Sequence, residues 1–257
     1  MSFSADWLAL RADADRLARN AGLAADLAAW AEGREDLRVL DLGSGTGANL
    51  AALASLLPAA QHWVLADSDA DLLGQVTPPE GIDVEQRVTD LGSGLGTLFQ
   101  PAPDLVTASA FFDLCGAGFV DDLVARTGRA GAAFHTVLSY DGREDWSPPH
   151  PLDEAVLAAF HADQARDKGL GPALGPKATD YLARAFEAAG YRVTTGASDW
   201  QLSAVQDAAL IAALARGSAD AVAPVLGTET AQAWHTARAR AERIMIGHQD
   251  LLALPPD

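Results

Sequence analysis

The stretch RVLDLGSGTGANL, residues 38–50, constrains the fold more than any other part of the chain. Residues with a preference for extended backbone run into Asp41, glycines stand at 43, 45 and 47, and an apolar, helix-prone run follows. Glycine reaches positive φ and lets the backbone approach a ligand closely. The pattern therefore predicts a strand, a tight turn and a helix arranged around a ligand. GSGTGA satisfies the dinucleotide fingerprint G-x-G-x-x-G/A. A P-loop is ruled out, because no Lys-Ser/Thr pair follows the glycines. Asp41 precedes the first glycine by two residues and faces the ligand side from the strand end. A carboxylate there repels a pyrophosphate and attracts a positive amino group.

The rest of the chain extends this unit. Apolar residues at helical spacing (Trp7, Leu8, Leu10, Leu17, Leu23, Leu27) predict two helices within 5–32. Strands are expected at 37–42, 62–67, 82–88, 104–110 and 132–140, with helices between them at 48–57 and 117–127. Strand–helix alternation implies right-handed crossovers and a mainly parallel sheet. After Tyr140 the rhythm changes. DGREDWSPPHPLD reads as a loop, 154–166 as a helix with Asp153 at its start, and Pro176 and Gly190 bracket the next helix. A strand is expected over 191–202. Ser203 with Gln206 forms a capping-box pattern before AALIAALARG, a long helix is expected over 229–246 ending at Gly247, and a last strand over 248–254. The expectation is one α/β domain over 1–257, with a helical cap at 1–36, a core at 37–140, an insertion at 141–175 and a C-terminal part at 176–257 that carries a helical insertion at 203–246.

Composition narrows the partners. The formal net charge is −17 over 257 residues, which argues against a phosphate-backbone interface or an anionic membrane surface. Cys115 is the only cysteine, so neither an intrachain disulfide nor a cysteine-based zinc site is expected, and no metal is assigned. The first residues, MSFSADWLALRADADR, mix charges into the apolar pattern, unlike a signal peptide, and no run of about 20 apolar residues is apparent. A soluble, cytoplasmic protein is expected.

The motifs together resemble those of the class I S-adenosylmethionine-dependent methyltransferases of small-molecule type. VLDLGSGTG resembles their first motif, VLADSD their second, VTDLGS their third and DLVTASAFFD their fourth. The resemblance implies a Rossmann-like, mostly parallel seven-stranded sheet with an antiparallel last strand, flanked by helices. It implies that S-adenosylmethionine, which has a positive amino group and no phosphate, is the donor. The donor site would comprise Asp41, Gly43, Ser44, Gly45, Gly47 and Asn49 around the loop. Asp67 would take the ribose hydroxyls and Ser68 border the adenine. Asp90 and Leu91 would meet the adenine amine and ring, and Ser109 lie near the methionine part. Arg11 is a candidate for the donor's carboxylate. The insertion at 203–246 departs from the family, which usually joins its last two strands by a short hairpin.

The segment SAFFD lacks the Asn/Asp-Pro-Pro-aromatic pattern of enzymes acting on amide or base nitrogens. A small-molecule acceptor is therefore expected, with the methylated atom (O, N or S) open, and the product S-adenosylhomocysteine. Phe111 and Phe112 are candidates to line the site, since aromatic faces attract cations. The candidate catalytic residues are His161, Asp113 and Tyr140; Asp141, Trp146, Gln164 and Lys168 are further acceptor-side candidates. His161 and Gln164 share a face if 154–166 is helical. His135, alternating within a strand, reads as core, and Arg238, Arg240 and Arg243 as structural residues near a helix C-terminus. His235 and His248 carry no strong signal. Two alternatives stand beside methyl transfer: an NAD(P)-dependent oxidoreductase using the same glycine loop, for which no Tyr-x-x-x-Lys pattern is present, and a non-catalytic S-adenosylmethionine-binding protein.

Overall fold

In a computed structural model, residues 4–256 are described; residues 1–3 and 257, at the two ends of the expected domain, lie outside the described residues. Two helices, α1 (Ala5–Ala18) and α2 (Ala21–Ala31), precede the sheet. Then come β1 (Leu37–Leu42), α3 (Ala48–Leu53), β2 (Gln61–Asp67), α4 (Ala70–Leu73), β3 (Asp83–Val88), α5 (Leu91–Leu98), β4 (Leu105–Ser109), α6 (Ala117–Ala130) and β5 (Ala133–Ser147). The C-terminal part comprises α7 (Asp153–Gln164), α8 (Ala178–Ala188), β6 (Arg192–Ala197), β7 (Trp200–Ser203), α9 (Ala204–Leu226), α10 (Thr228–Arg238) and β8 (Arg243–Leu254).

Seven strands lie in the order β3-β2-β1-β4-β5-β8-β6, and β7 pairs with β8 beside them. The first five are parallel, and β8 runs antiparallel to β5, β6 and β7. This is the expected sheet with one short strand added. Strand order reverses between β1 and β4, and in open α/β sheets ligands bind outside the carboxyl ends of the strands at such a switch point. Period-two alternation divides the core. Leu40, Leu42, Val106 and Phe134 face α5, α6 and α8, whereas Leu37, Val39, Trp63 and Leu65 face α2 and α3. A third cluster gathers α7, α9 and α10 on the outer ends of β5 and β8, where Trp146 meets Trp234 edge-on at 5.4 Å.

Several elements beyond Tyr140 differ from the sequence expectation. The segment 141–147, expected as a loop, continues β5, and the helix expected to run to 246 stops at Arg238. Both changes have one cause: Glu144–Ser147 pairs with Arg243–Ile246, so the two strands extend each other as a two-stranded antiparallel arm. Gly247 lies within β8 rather than at a helix end; a Cβ there would run into Asp141 and Arg143, whose side chains cross the strand. The strand expected over 191–202 breaks at Ser198 and Asp199 into β6 and β7. The capping partner at the start of α9 is Asp207, whose Oδ2 accepts from Ser203 N at 2.9 Å, in place of Gln206. α9 is long and apolar enough to cross a membrane by length and composition, a run not apparent in the sequence reading. Leu210, Ile211, Ala215, Ala219 and Val222 form its buried stripe, packed in the third cluster.

One buried carboxyl ties the N-terminal helices to the sheet. Asp250 of β8 is fully buried. Its Oδ1 accepts from Leu138 N and its Oδ2 from Asn20 N, both at 2.8 Å. Leu138 sits at φ +58° in the β5 bulge between Thr136 and Ser139, a conformation that bulky residues avoid. Asp250→Ala leaves two backbone donors without their acceptor. At about 1–3 kcal/mol for each unsatisfied donor, and roughly 2–4 °C per kcal/mol for a chain of this size, Tm should fall by roughly 4–24 °C. A thermal melt unchanged in this variant would show that the carboxyl does not hold the junction.

Candidate active site

The chain leaves β1 and turns through Gly43, Gly45 and Gly47, at φ +63°, +51° and +84°. Ser44 Oγ donates to the Asp41 carbonyl at 2.8 Å and closes the turn. Gly45 N donates to Asp67 Oδ2 at 2.8 Å, and Asp69 N to Asp67 Oδ1 at 3.0 Å. The Asp67 carboxylate is thereby fixed at the end of β2 with lone pairs left over. Ser68 follows it, exposed. Asp90 caps α5 by accepting from Gly92 N at 2.8 Å, its side chain open to solvent, and Leu91 is buried behind it. Ser109 ends β4 half-buried. These residues all fall at or just beyond the carboxyl ends of β1 to β4. Side chains also lean on the loop. A Cβ at Gly43 would come within 2.8 Å of the Phe111 ring, and one at Gly45 within 3.1 Å of Leu8 Cδ1 on α1. Helix α1 is thus a cap over the glycine turn.

Asp41 is buried, and burial pushes its carboxyl up to about 7. Asn49 Nδ2 donates to Asp41 Oδ1 at 3.1 Å and to Thr107 Oγ1 at 2.9 Å. Arg19, at the end of α1, donates to Asn49 Oδ1 at 2.7 Å. Burial pulls the Arg19 guanidinium below its ordinary value, while Asp250, Asp15 and Asp41 hold it up. Arg11 is committed elsewhere: it forks onto Asp15 at 2.8 and 3.0 Å and lies 4.9 Å from the Trp200 ring centre. The cation beside the loop is Arg19, which the sequence reading did not single out. Its only signal there was a basic residue at the first helix end.

Beyond Phe111 the same side of the sheet opens into a cavity of about 150 Å³. Asp113, Tyr140, Trp146 and Gln164 line it, as do Glu144, Trp200 and His248, which the sequence reading missed. Tyr140 Oη donates to Glu144 Oε1 at 3.0 Å and lies 3.0 Å from His161 Nε2. Trp146 Nε1 donates to Glu144 Oε2 at 3.0 Å, and Gln164 Nε2 to Asp113 Oδ2 at 2.9 Å. Burial pushes Glu144 up from the usual carboxylate range and Asp113 up to about 6. It pushes the Tyr140 phenol far up, with Glu144 adding to the effect. His161 is pulled down by burial. His248 is pulled down to about 4, and its Nδ1 meets the Ile246 carbonyl at 3.1 Å, which places the ring proton there. Nε2 is then the acceptor.

The other candidates do not line this cavity. Lys168 pairs with Asp163 at 3.3 Å, and Asp141 pairs with Arg143, which also reaches Asp199. Phe112 is fully buried against Phe134. His135 is a core histidine pulled down to about 3 by burial. His235 contacts Gln232 on α10. Arg238 is buried, donating to the Pro148 carbonyl at 2.6 Å, while Arg240 is exposed and Arg243 starts β8.

No family model and no curated protein matches the chain. Solved structures do. A candidate type II methyltransferase from Anaeromyxobacter dehalogenans matches over 92% of this chain and 96% of its own, at 18% identity and a TM-score of 0.52. A cyclopropane-fatty-acyl-phospholipid synthase-like protein from Lactobacillus casei matches over 95% and 99%, at 18% identity and 0.50. Mycolic acid cyclopropane synthase CmaA1, crystallised with S-adenosylhomocysteine and CTAB, matches over 89% and 82%, at 13% identity and 0.50. The chain has the class I S-adenosylmethionine-dependent methyltransferase fold. Within that fold, the glycine turn and the strand-end acids occupy one flank of the switch point, and the cavity of Asp113, Tyr140 and Glu144 the other.

The buried Asp41 carboxyl has a consequence for stability. Its ordinary value is 3.8 and its folded value about 7. The folded state therefore holds a proton that the unfolded chain has released, and this contribution is full below about pH 4 and lost as pH rises through 7. The limiting slope for one such group is about 1.4 kcal/mol per pH unit. Asp41→Asn cannot titrate, so denaturation curves at pH 4 to 7 should show its stability gaining on the wild type across the window. Parallel pH profiles for the two proteins would refute the assignment. Comparing the pair cancels the opposite trend from His135 and His248, whose values are lowered.

Proposed function

We propose that the chain transfers a methyl group from S-adenosylmethionine to a small-molecule acceptor held in the cavity of Asp113, Tyr140 and Glu144. The observation that carries this reading is the Asp67 carboxylate, fixed by the Gly45 and Asp69 amides at the end of β2 beside a turn of three positive-φ glycines. A ribose diol fits a paired-oxygen acceptor so oriented, and the bare turn fits close approach of the donor's amino-acid part. Asp41, Asn49, Ser109, Asp90 and Leu91 complete the donor side, with Arg19 the cation nearest the loop. When bound, S-adenosylmethionine supplies a methyl group on a positively charged sulfur. The chain's own task is to hold the acceptor aligned and to take its proton where it has one.

The proton acceptor is the linked set His161–Tyr140–Glu144. Tyr140 stays protonated because burial and Glu144 both oppose its ionisation, so it passes a proton along rather than keeping a charge. His161, held neutral by burial, meets the Tyr140 oxygen with its Nε2–H while the one hydroxyl proton goes to Glu144, which leaves Glu144 the accepting end of the set. Asp113 is oriented by Gln164 toward the same cavity.

Calorimetry with S-adenosylmethionine, and with NADH as control, tests the donor; binding of NADH alone would turn the reading to an oxidoreductase. S-adenosylhomocysteine formed from a metabolite pool separates catalysis from binding without turnover. Asp67→Ala should weaken donor binding roughly 10- to 150-fold, since hydrogen bonds to a charged acceptor contribute about 1.5–3 kcal/mol. Affinity retained by a folded variant would remove Asp67 from the donor site. Once an acceptor is found, His161→Ala should lower kcat by about 10²–10⁴-fold, the usual contribution of general acid–base help, and leave donor affinity unchanged. Full turnover, or loss of donor binding instead, would show that His161 has another role.

A further inference from the structure

We propose that the cavity between α7, β5 and β7 takes the ammonium end of a small organic amine, and that this amine is the acceptor class. The inference rests on the reading of the cavity as the acceptor site. Its first ground is charge. Among the described residues two carboxyls line the cavity, Asp113 and Glu144, and no lysine or arginine does. The cations nearby already have partners: Arg11 is forked onto Asp15 and Lys168 is paired with Asp163. The one lining group able to become positive is His248, which is neutral near pH 7 because burial pulls it down to about 4.

The second ground is the state of those carboxyls. Glu144 accepts from two neutral donors, the Tyr140 hydroxyl and the Trp146 indole, and Asp113 accepts from the neutral Gln164 amide. Among the described residues neither forms an ion pair, although Arg11 and Lys168 act on Asp113 from farther off. A partly buried carboxylate without one is a ready partner for a ligand cation, which gains more there than in water. A third, independent ground is Gln164 itself. It lines the cavity and is buried, and its Oε1 has no hydrogen-bond partner among the described residues. A buried acceptor without a donor is costly, and an amine brings N–H donors.

The walls agree with the same ligand. Tyr140, Trp146, Phe160 and Trp200 surround the carboxyls, and aromatic faces attract ammonium groups most strongly where water is excluded. A volume of about 150 Å³ is the size of an engineered cavity that admits benzene, which sets the scale of the buried end. An ammonium must lose a proton before its nitrogen carries a lone pair. The N–H bond then breaks, its electron pair stays on nitrogen, and a lining carboxylate takes the proton as O–H.

The test is calorimetry on the intact protein, alone and with S-adenosylhomocysteine present. The probes are benzylamine and tetramethylammonium, with benzyl alcohol and benzoate as neutral and anionic counterparts. Benzylamine should bind at least about tenfold tighter than benzyl alcohol, a difference of about 1.4 kcal/mol, and benzoate weakest. Glu144→Gln and Asp113→Asn should each remove most of that preference. An unchanged circular-dichroism spectrum and a cooperative thermal melt show that the variants are folded, so that the loss reports on the carboxyl. Equal binding of the amine and the alcohol, tighter binding of benzoate, no binding of any probe, or an undiminished amine preference in both variants would overturn the proposal. S-adenosylmethionine binding is measured on the same samples. Its failure alongside amine binding would sink the methyl-transfer reading and leave the amine site standing. The reverse result would sink only the amine site.

Discussion

A half-buried guanidinium among three buried carboxyls is the interaction on which this architecture turns. Arg19 ends α1 and bonds Asn49, and its surroundings are Asp250, Asp15 and Asp41. Each of those acids belongs to a different part of the molecule: the last strand, the cap helix and the end of the first strand. Removing the cation would leave several buried acids facing one another, and uncompensated buried charge is among the most destabilising defects a fold can carry. The cap is therefore joined to the sheet electrostatically as well as by packing. The glycine turn beneath it is held by the same set, since Asn49 bridges Arg19, Asp41 and Thr107. A polar network so connected has little freedom to rearrange piecemeal.

The two-stranded arm made by the outer halves of β5 and β8 is what separates this molecule from a bare parallel sheet. It carries Glu144 and Trp146 past the strand ends and gives β7 an edge to pair with. Helices α9 and α10 then cover the arm with an apolar face, and Trp234 reaches Asp153 at the start of α7 with its indole N–H at 2.8 Å. The insertion before the last strand thus builds the outer wall of the cavity, with Leu214 and Ser218 of α9 among its lining residues.

The donor half of the site was legible in the sequence because it is local. Asp41, Gly43, Gly45 and Gly47 lie within one turn, and Asp67 and Asp90 end strands whose apolar runs are easily read. The cavity half was legible only in part. Asp113, Tyr140 and Gln164 drew notice as polar residues near strand ends and on a helix face. Glu144 went unseen because 141–147 contains Gly142 and four charged residues, which read as a loop; its extended form depends on pairing with a strand about a hundred residues away. His248 and Trp200 are likewise brought to the site by antiparallel pairing whose register no short stretch encodes. The alanine-rich run before Arg243 looks helical on propensity, and strand pairing overrides it at Ile244 and Ile246.

One short stretch of backbone serves both halves. Ser109 ends β4, and Ala110 takes φ +51°, held by its N–H on the Val137 carbonyl at 2.9 Å. That conformation is costly for a residue with a side chain. It swings the next residues away from the strand direction. Phe111 then lies against Gly43, and Asp113, two residues on, enters the cavity wall. The ring that touches the glycine turn and the carboxyl that faces the cavity are thus separated by Phe112 alone, whose side chain is locked in the core against Phe134. With that anchor fixed, Phe111 and Asp113 have little room to shift independently. The glycine turn and the cavity wall are thus joined by one three-residue stretch of backbone pinned in the core at Phe112.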